Sequence, residues 1–263
     1  MEHRQEDVVL VSRRGSTATV TMNRPGVLNV LDDAMADGLV AAFAALAADD
    51  TVRVVILTGA GRSFMAGGDL ARFHADLEGA PGTAAGLIDK FHRLMRIMKD
   101  MRALVIAAVH GPVAGGGVGL AFACDLVVAA EGTTFLSAYT KIGTSPDGGT
   151  TWSLTRLMGP RRALEFVLFN QPLPADKALE WGMVNRVVPK DDLTAAVEGF
   201  ADRLVASATG ATASVKRLIQ SATQASFDEQ LEREKASFVA AAGTADFREG
   251  ISAFFEKRQP FFS

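Results

Sequence analysis

Residues 104–130 read LVIAAVHGPVAGGGVGLAFACDLVVAA, with Asp125 as the single charged side chain in the run. The stretch is long enough to cross a bilayer, but His110, Pro112 and Asp125 interrupt it. Gly115, Gly116, Gly117 and Gly119 suit a tight loop in water better than a lipid-facing helix. It therefore reads as two strands, Leu104 to Val109 and Leu126 to Ala130, joined through a glycine-rich loop at Gly111 to Gly119. Upstream, Arg53 to Thr58 is another short β-branched run with a glycine-rich loop behind it, through Gly68. Between the two blocks Leu87, Phe91, Leu94, Met98 and Met101 recur at helical spacing, and Arg72 to Gly86 reads as a variable loop. Strand, helix and strand in that order predict a right-handed crossover onto a mostly parallel sheet, which makes the fold α/β.

Toward the N-terminus, Val8 to Val11 and Thr17 to Met22 are β-rich runs around Arg14-Gly15-Ser16, a hairpin signal, and Asn23-Arg24-Pro25-Gly26 ends the second run. Asp32 is placed as an N-cap for a helix whose apolar stripe is Met35, Leu39, Phe43 and Leu46. After Thr150 the pattern turns helical: Thr151 to Met158, Pro160 to Phe169 and Ala175 to Trp181, with one strand-like run at Val184 to Val188. Asp191 to Ala206, Ala213 to Thr223, Phe227 to Ala242 and Ala245 to Lys257 each carry 3.6-residue periodicity, and Ser226 with Glu229 forms a capping-box signature. These readings predict a core over residues 1–200 and a helical region over 201–263 that packs on the core or on a neighbouring subunit.

Composition sets outer bounds on function. At 263 residues, with 48% apolar and 22% charged side chains, the chain can bury a large core and is not disordered. Lys+Arg number 27 against Asp+Glu 30, so the basic excess that nucleic-acid binding requires is missing. A lone cysteine, Cys124, forms no internal disulfide, and Met1 to Asp7 is too charged for a secretory segment, so a cytoplasmic protein with no membrane span is expected.

Neither glycine loop is a nucleotide fingerprint. Phe64 stands where the first loop would need its third glycine and Phe122 where the second would, and no G-x-x-x-x-G-K-[ST] occurs. His74, His92 and His110 lack metal-ligand spacing, so no metal is expected. Each loop taken alone is a turn; two of them at strand ends can also present free backbone N–H groups to a ligand.

Arg53 to Gly61 continued through Phe64-Met65-Ala66-Gly67-Gly68-Asp69-Leu70, and Ile106 to Gly111 continued through Gly115-Gly116-Gly117 and Ala123-Cys124-Asp125, resemble the two signatures of the crotonase (enoyl-CoA hydratase/isomerase) superfamily. Asn23-Arg24-Pro25, Ser145-Pro146-Asp147-Gly148-Gly149-Thr150, Trp181 to Val188 and Glu249 to Arg258 add matches in the same order along nearly the whole chain. The resemblance implies a crotonase-like spiral of ββα units with a helical C-terminal trimerisation region, acyl-CoA thioesters as substrates, and trimers that can pair into hexamers. It implies an oxyanion hole from the backbone N–H groups of Gly68 and Gly116, and contacts to substrate or CoA from Arg24, Ala66, Gly67, Asp69, Leu70 and Tyr139. Phe254 and Lys257 match positions that reach a CoA, often one bound mainly by the next subunit. No cofactor is implied beyond the CoA of the substrate. Gly26-Val27 departs from the basic residue many members carry there, so part of the grip on the CoA phosphates is lost or falls to Arg24, Arg62 or Lys257.

Where the family's hydratases carry two glutamates this chain has Gly119 and Tyr139, neither able to take a proton at neutral pH. Read from its residues alone, Asp147 is a turn aspartate in a Pro-Asp-Gly triplet. The resemblance makes it the catalytic residue, because isomerases of the superfamily can carry their acid/base aspartate there. Lys141-Ile142-Gly143, Thr151-Trp152 and Ala245 to Gly250 look most like the phenylacetate-type ring-epoxide isomerases. The expectation is an acyl-CoA isomerase; a hydratase with an atypical base and a non-catalytic acyl-CoA-binding protein are the alternatives. Asp125 reads as structural, Cys124 as an inert buried thiol, and His74 as a further lining residue of the acyl pocket.

Overall fold

The computed structural model describes residues 7–262, so Met1 to Glu6 of the charged N-terminal stretch lie outside the described residues. The hairpin forms as Val9–Arg14 (β1) against Thr17–Met22 (β2), antiparallel. Asp32 accepts the Met35 N–H at 2.8 Å and starts the helix Asp33–Ala47 (α1), whose Met35, Leu39, Phe43 and Leu46 are all buried. Next come Val54–Gly59 (β3), Leu70–Ala75 (α2), Ala80–Asp100 (α3), Leu104–Val109 (β4), Pro112–Ala114 (β5), Gly116–Ala123 (α4), Leu126–Ala130 (β6) and Thr134–Leu136 (β7). The second half holds Thr150–Phe169 (α5), Leu173–Pro174 (β8), Ala175–Glu180 (α6), Arg186–Val188 (β9), Leu193–Val205 (α7), Thr209–Ala222 (α8), Phe227–Ala242 (α9) and Ala245–Glu256 (α10).

A six-stranded sheet runs in the order β1-β2-β3-β4-β6-β9, parallel throughout except for the β1–β2 hairpin. A smaller sheet runs β5-β7-β8, and Met65 extends it through a single bridge to Val113. The path is repetitive: β3 and Met65 lead into α2 and α3, β4 and β5 into α4, β6 and β7 into α5. Each turn lays one strand in the large sheet, a shorter one in the small sheet, and a helix behind them, which is the expected spiral of ββα units. Val55, Leu57, Val105, Ala107, Val127 and Ala129 face the main core, while Val54, Ile56, Ile106, Ala108, Val128 and Ala130 face α7 through Leu193, Val197 and Ala201. With both faces covered, the strands need apolar residues at every position, which is why they read as continuous runs.

Several local expectations change. The apolar segment at 104–130 folds into β4, β5, α4 and β6, and no helix among the described residues is long and apolar enough to cross a membrane. The stretch read as a variable loop, Arg72 to Gly86, contains most of α2 and the first turns of α3. Periodicity missed those turns because Ala80, Pro81 and Ala84 line an open cleft instead of the core, and Gly82 and Gly86 dilute the pattern. The two helices read at 151–169 do form, running end to end as α5 and separated at Gly159, whose φ of 78° and ψ of 164° are not helical. Residue 200 falls inside α7, whose Val197 and Ala201 on either side of it both pack on the large sheet. Beyond it, Lys216 of α8 is buried against Asp125, whereas Phe254 and Phe255 of α10 are 76% and 77% exposed.

Candidate active site

The glycine loops meet side by side. Phe64 N–H donates to His110 C=O at 2.9 Å and Ala114 N–H to Met65 C=O at 3.0 Å, so the first loop is laced to the start of the second. Asn29, buried in the apolar run Val27 to Leu31, sends its side-chain NH2 to the carbonyls of Ala60 (2.9 Å), Ser63 (2.8 Å) and Phe64 (3.2 Å). Sequence reasoning passed over this residue; a lone amide inside an apolar run is the signal that could have found it, since such a group is buried only with partners.

Leu31 N–H donates to Gly67 C=O at 2.7 Å and Asp69 N–H to Leu31 C=O at 3.0 Å. Those bonds flank Gly68, whose own N–H therefore turns to the opposite side, as a strand's alternate amides must. Gly116 is the first residue of α4, where helical N–H groups have no partner within the helix. Among the described residues neither N–H has a backbone acceptor outside its element. Both glycines line one cleft of about 790 Å³, and the aligned peptide dipoles of α4 add positive character at Gly116.

The rest of the cleft is apolar wall with a few polar groups. Leu31, Leu70, Phe73, Leu77, Leu87 and Phe91 face it, with His74 and Tyr139 among them, and Thr144 to Asp147 close one side. Arg72 pairs with Asp33, and Lys90 sits 2.9 Å from Asp33 and 2.7 Å from Asp37, tying α2 and α3 to α1. Asp147 is half-buried, and its Oδ1 accepts the Tyr139 hydroxyl at 2.6 Å. Its backbone is held by Thr150 N–H donating to the Asp147 C=O at 2.9 Å. Gly148 takes φ +56°, and a side chain there would run into the Phe91 ring at 2.3 Å, so this corner admits only glycine.

Tyr139 is buried, and its hydroxyl is pushed above the ordinary phenol value first by that burial and then by the Asp147 carboxylate. It stays protonated and donates. At Gly119 a side chain would meet Thr150 Oγ1 at 2.7 Å, so the space an acidic residue would occupy on α4 is already filled.

Of the residues expected to bind substrate, Gly68, Gly116, Leu70, Tyr139 and Asp147 come together in the cleft, and His74 lines it as well. Ala66, Gly67 and Asp69 form the loop segment that carries Gly68, which makes a single bridge to Leu31, and Asp69 also caps α2 at Ala71 N–H (3.1 Å). Arg24 does not line the cleft; its guanidinium is 2.6 Å from Asp32. Phe254 and Lys257, at the far end of α10, do not line it within one chain. Asp125 is structural as read, with Lys216 Nζ at 2.9 Å and Val105 N–H at 2.8 Å. Cys124 is buried, and burial drives its thiol far above the ordinary range, which leaves it inert.

A model described as enoyl-CoA hydratase/isomerase matches residues 12–263. The 1,2-epoxyphenylacetyl-CoA isomerase of Escherichia coli is 38% identical over 246 residues, covering 93% of this chain and 94% of the relative. The 4-chlorobenzoyl coenzyme A dehalogenase-1 of an Arthrobacter species is 32% identical, covering 98% and 94%. The crystal structure of an enoyl-CoA hydratase from a Polaromonas species superposes at a TM-score of 0.93 with 34% identity, over 97% of this chain and 99% of that one. The named relatives differ in chemistry, but the family match over nearly the whole chain and identities of 32% to 38% at near-complete coverage show that the chain belongs to the enoyl-CoA hydratase/isomerase family.

Proposed function

We propose that this protein is an acyl-CoA isomerase that moves a proton, and with it a double bond, along a CoA thioester. One observation carries the reading: two N–H groups without a backbone acceptor and a carboxylate without a paired cation, among the described residues, belong to glycines and an aspartate lining the same apolar cleft, while the hydratase-type acids are replaced by Gly119 and Tyr139.

In the proposed step the thioester oxygen lies against Gly68 N–H and Gly116 N–H. Asp147 Oδ2 takes a proton from the α-carbon, the C–H electron pair moves into the thioester, and the charge comes to rest on the oxygen held by the two amides. The same Oδ2 returns that proton at the γ-carbon, the double bond shifts, and the carboxylate is regenerated. Nothing is oxidised or reduced, so the reaction asks for no nicotinamide or metal, and CoA enters with the substrate. Donors aimed at such an oxyanion are worth about 3–4 kcal/mol each. The resemblance to the E. coli isomerase supports an unsaturated or aryl-derived acyl group in the apolar part of the cleft.

Self-association belongs to the same reading. Phe238 and Val239 of α9 and Phe254 and Phe255 of α10 are exposed apolar side chains that a trimer would bury, and in it Phe254 and Lys257 would reach the CoA of a neighbouring copy.

The test is a panel of 2-enoyl-, 3-enoyl- and aryl-epoxide CoA thioesters followed by mass spectrometry. A product of unchanged mass with a displaced double bond is expected. Gain of one water on the best substrate would make the protein a hydratase and overturn the proposal.

A further inference from the structure

We infer that Tyr139 is a positioning residue for Asp147: its hydroxyl anchors one carboxylate oxygen and leaves the other to carry the proton. The inference rests on the isomerase reading above and adds a role that the acyl-lining position of Tyr139 does not supply.

The geometry is specific. Tyr139 opens the short turn Tyr139–Ile142, entered through Ala138 in the left-handed conformation at φ 65°, uncommon for a residue with a side chain. The result is a phenol ring that is 8% exposed yet delivers its hydroxyl to Asp147 Oδ1 at 2.6 Å. Among the described residues no hydrogen bond reaches Asp147 Oδ2, and no lysine, arginine or histidine pairs with the carboxylate.

A proton shift along a chain of carbons needs one base to serve two positions in succession. If the carboxylate could swivel, either oxygen could carry the proton and neither would be aimed. A donor fixed on Oδ1 removes that freedom while leaving Oδ2 unoccupied. A cation in its place would hold the carboxylate more tightly and weaken it as a base; a neutral hydroxyl orients it with less loss of basicity. Because burial and the adjacent carboxylate both disfavour the phenolate, the hydroxyl keeps its proton, and the proton returned to substrate is the one on Oδ2.

The backbone supports the same arrangement from the other side. Gly148 lets the Asp147 loop close against Phe91, and Thr150 N–H fixes the Asp147 carbonyl, so the remaining freedom is rotation of the carboxylate itself. That is the motion Tyr139 restrains.

The experiment compares wild type, Tyr139→Phe, Asp147→Asn and the double variant on the best substrate. Tyr139→Phe is expected to lower kcat roughly ten- to a hundredfold with KM changed less than about twofold, the scale of a misplaced reacting group. In the Asp147→Asn background the same change is expected to have no further effect, because Tyr139 acts through the carboxylate. Exchanging Tyr139 for p-aminophenylalanine, which keeps a donor at the same ring position, is expected to restore turnover. Should Tyr139→Phe not fold, p-aminophenylalanine against p-methylphenylalanine makes the same comparison at nearly equal bulk.

Wild-type kcat in Tyr139→Phe, a rise in KM alone, or an undiminished effect in the double variant would each overturn the inference and leave Tyr139 as pocket lining. A near-wild-type rate in Asp147→Asn would instead strike the isomerase reading itself, so the two failures are distinct.

Discussion

Asp125 and Asp147 are both aspartates in motifs that mark the family, and the structure gives them opposite surroundings. Asp125 has Lys216 Nζ at 2.9 Å and Val105 N–H at 2.8 Å, with side-chain exposures of 16% for the aspartate and 3% for the lysine. The lysine also donates to the carbonyls of Met98 (2.8 Å) and Ala103 (3.3 Å), so the pair locks α8 onto the end of α3 and the start of β4. Among the described residues Asp147 has only the neutral Tyr139 hydroxyl, on Oδ1, and it lines the open cleft. A carboxylate enclosed with a cation holds structure together, whereas one steered by a neutral donor and left half-open is the kind of group the proposed proton transfer requires. The partner, more than the residue type, decides which task an aspartate performs.

The sharpest way to break this comparison is to remove each acid's function in turn. Asp147→Asn keeps size and turn geometry and is expected to lower turnover roughly a hundred- to ten-thousandfold. Because Asp147 is half-buried and its side-chain partner is the neutral Tyr139 hydroxyl, the melting temperature should barely move. Near-normal turnover in steady-state kinetics would place the base elsewhere.

Lys216→Met is the counterpart. It leaves Asp125 buried without its cation and is expected to cost about 3–5 kcal/mol in urea unfolding, with kcat per folded molecule unchanged. A further change, Asp125→Leu, should recover much of that loss, since a matched apolar pair avoids the buried charge. If Lys216→Met left stability intact, the pair would not be the lock described here.

A third carboxylate sharpens the contrast with a smaller effect. Glu249 accepts from Arg258 at 2.5 and 3.0 Å and from Phe261 N–H at 2.8 Å, and these partners, the arginine first, lower its value to about 2. Because the folded value lies below the unfolded one, the bond network contributes fully above the ordinary glutamate range and is lost as pH falls toward about 2. An NMR titration of the Glu249 side chain should show it still ionised at an acidity where free glutamate is protonated. An ordinary midpoint would mean that the turn after α10 is not held by this residue.

Much of this molecule is legible without coordinates wherever the signal is local. The β1–β2 hairpin follows from a glycine turn between β-rich runs, α1 from a capping aspartate and a 3.6-residue stripe, and Ser226 with Glu229 forms both bonds of its capping box. The two glycine loops are legible as a pair because they follow strands directly. The short strands β5, β7 and β8 escape, since runs of two or three residues carry no period, and α4 escapes because its glycines and its burial on every side erase amphipathicity.

By itself the sequence determined the family, the alternation of strand and helix, the N–H groups proposed to face an oxyanion, and the absence of glutamate at 119 and 139, all properties of residue identity and short-range order. The tertiary structure alone decided that Gly68 and Gly116 share a cleft with Asp147, that α2 and the early turns of α3 wall it, and that Tyr139 anchors the aspartate while Lys216 neutralises the other one. The physical reason is that a hydrogen bond or ion pair between segments depends on distances set by the packing of the whole spiral, and residue spacing along the chain does not encode those distances.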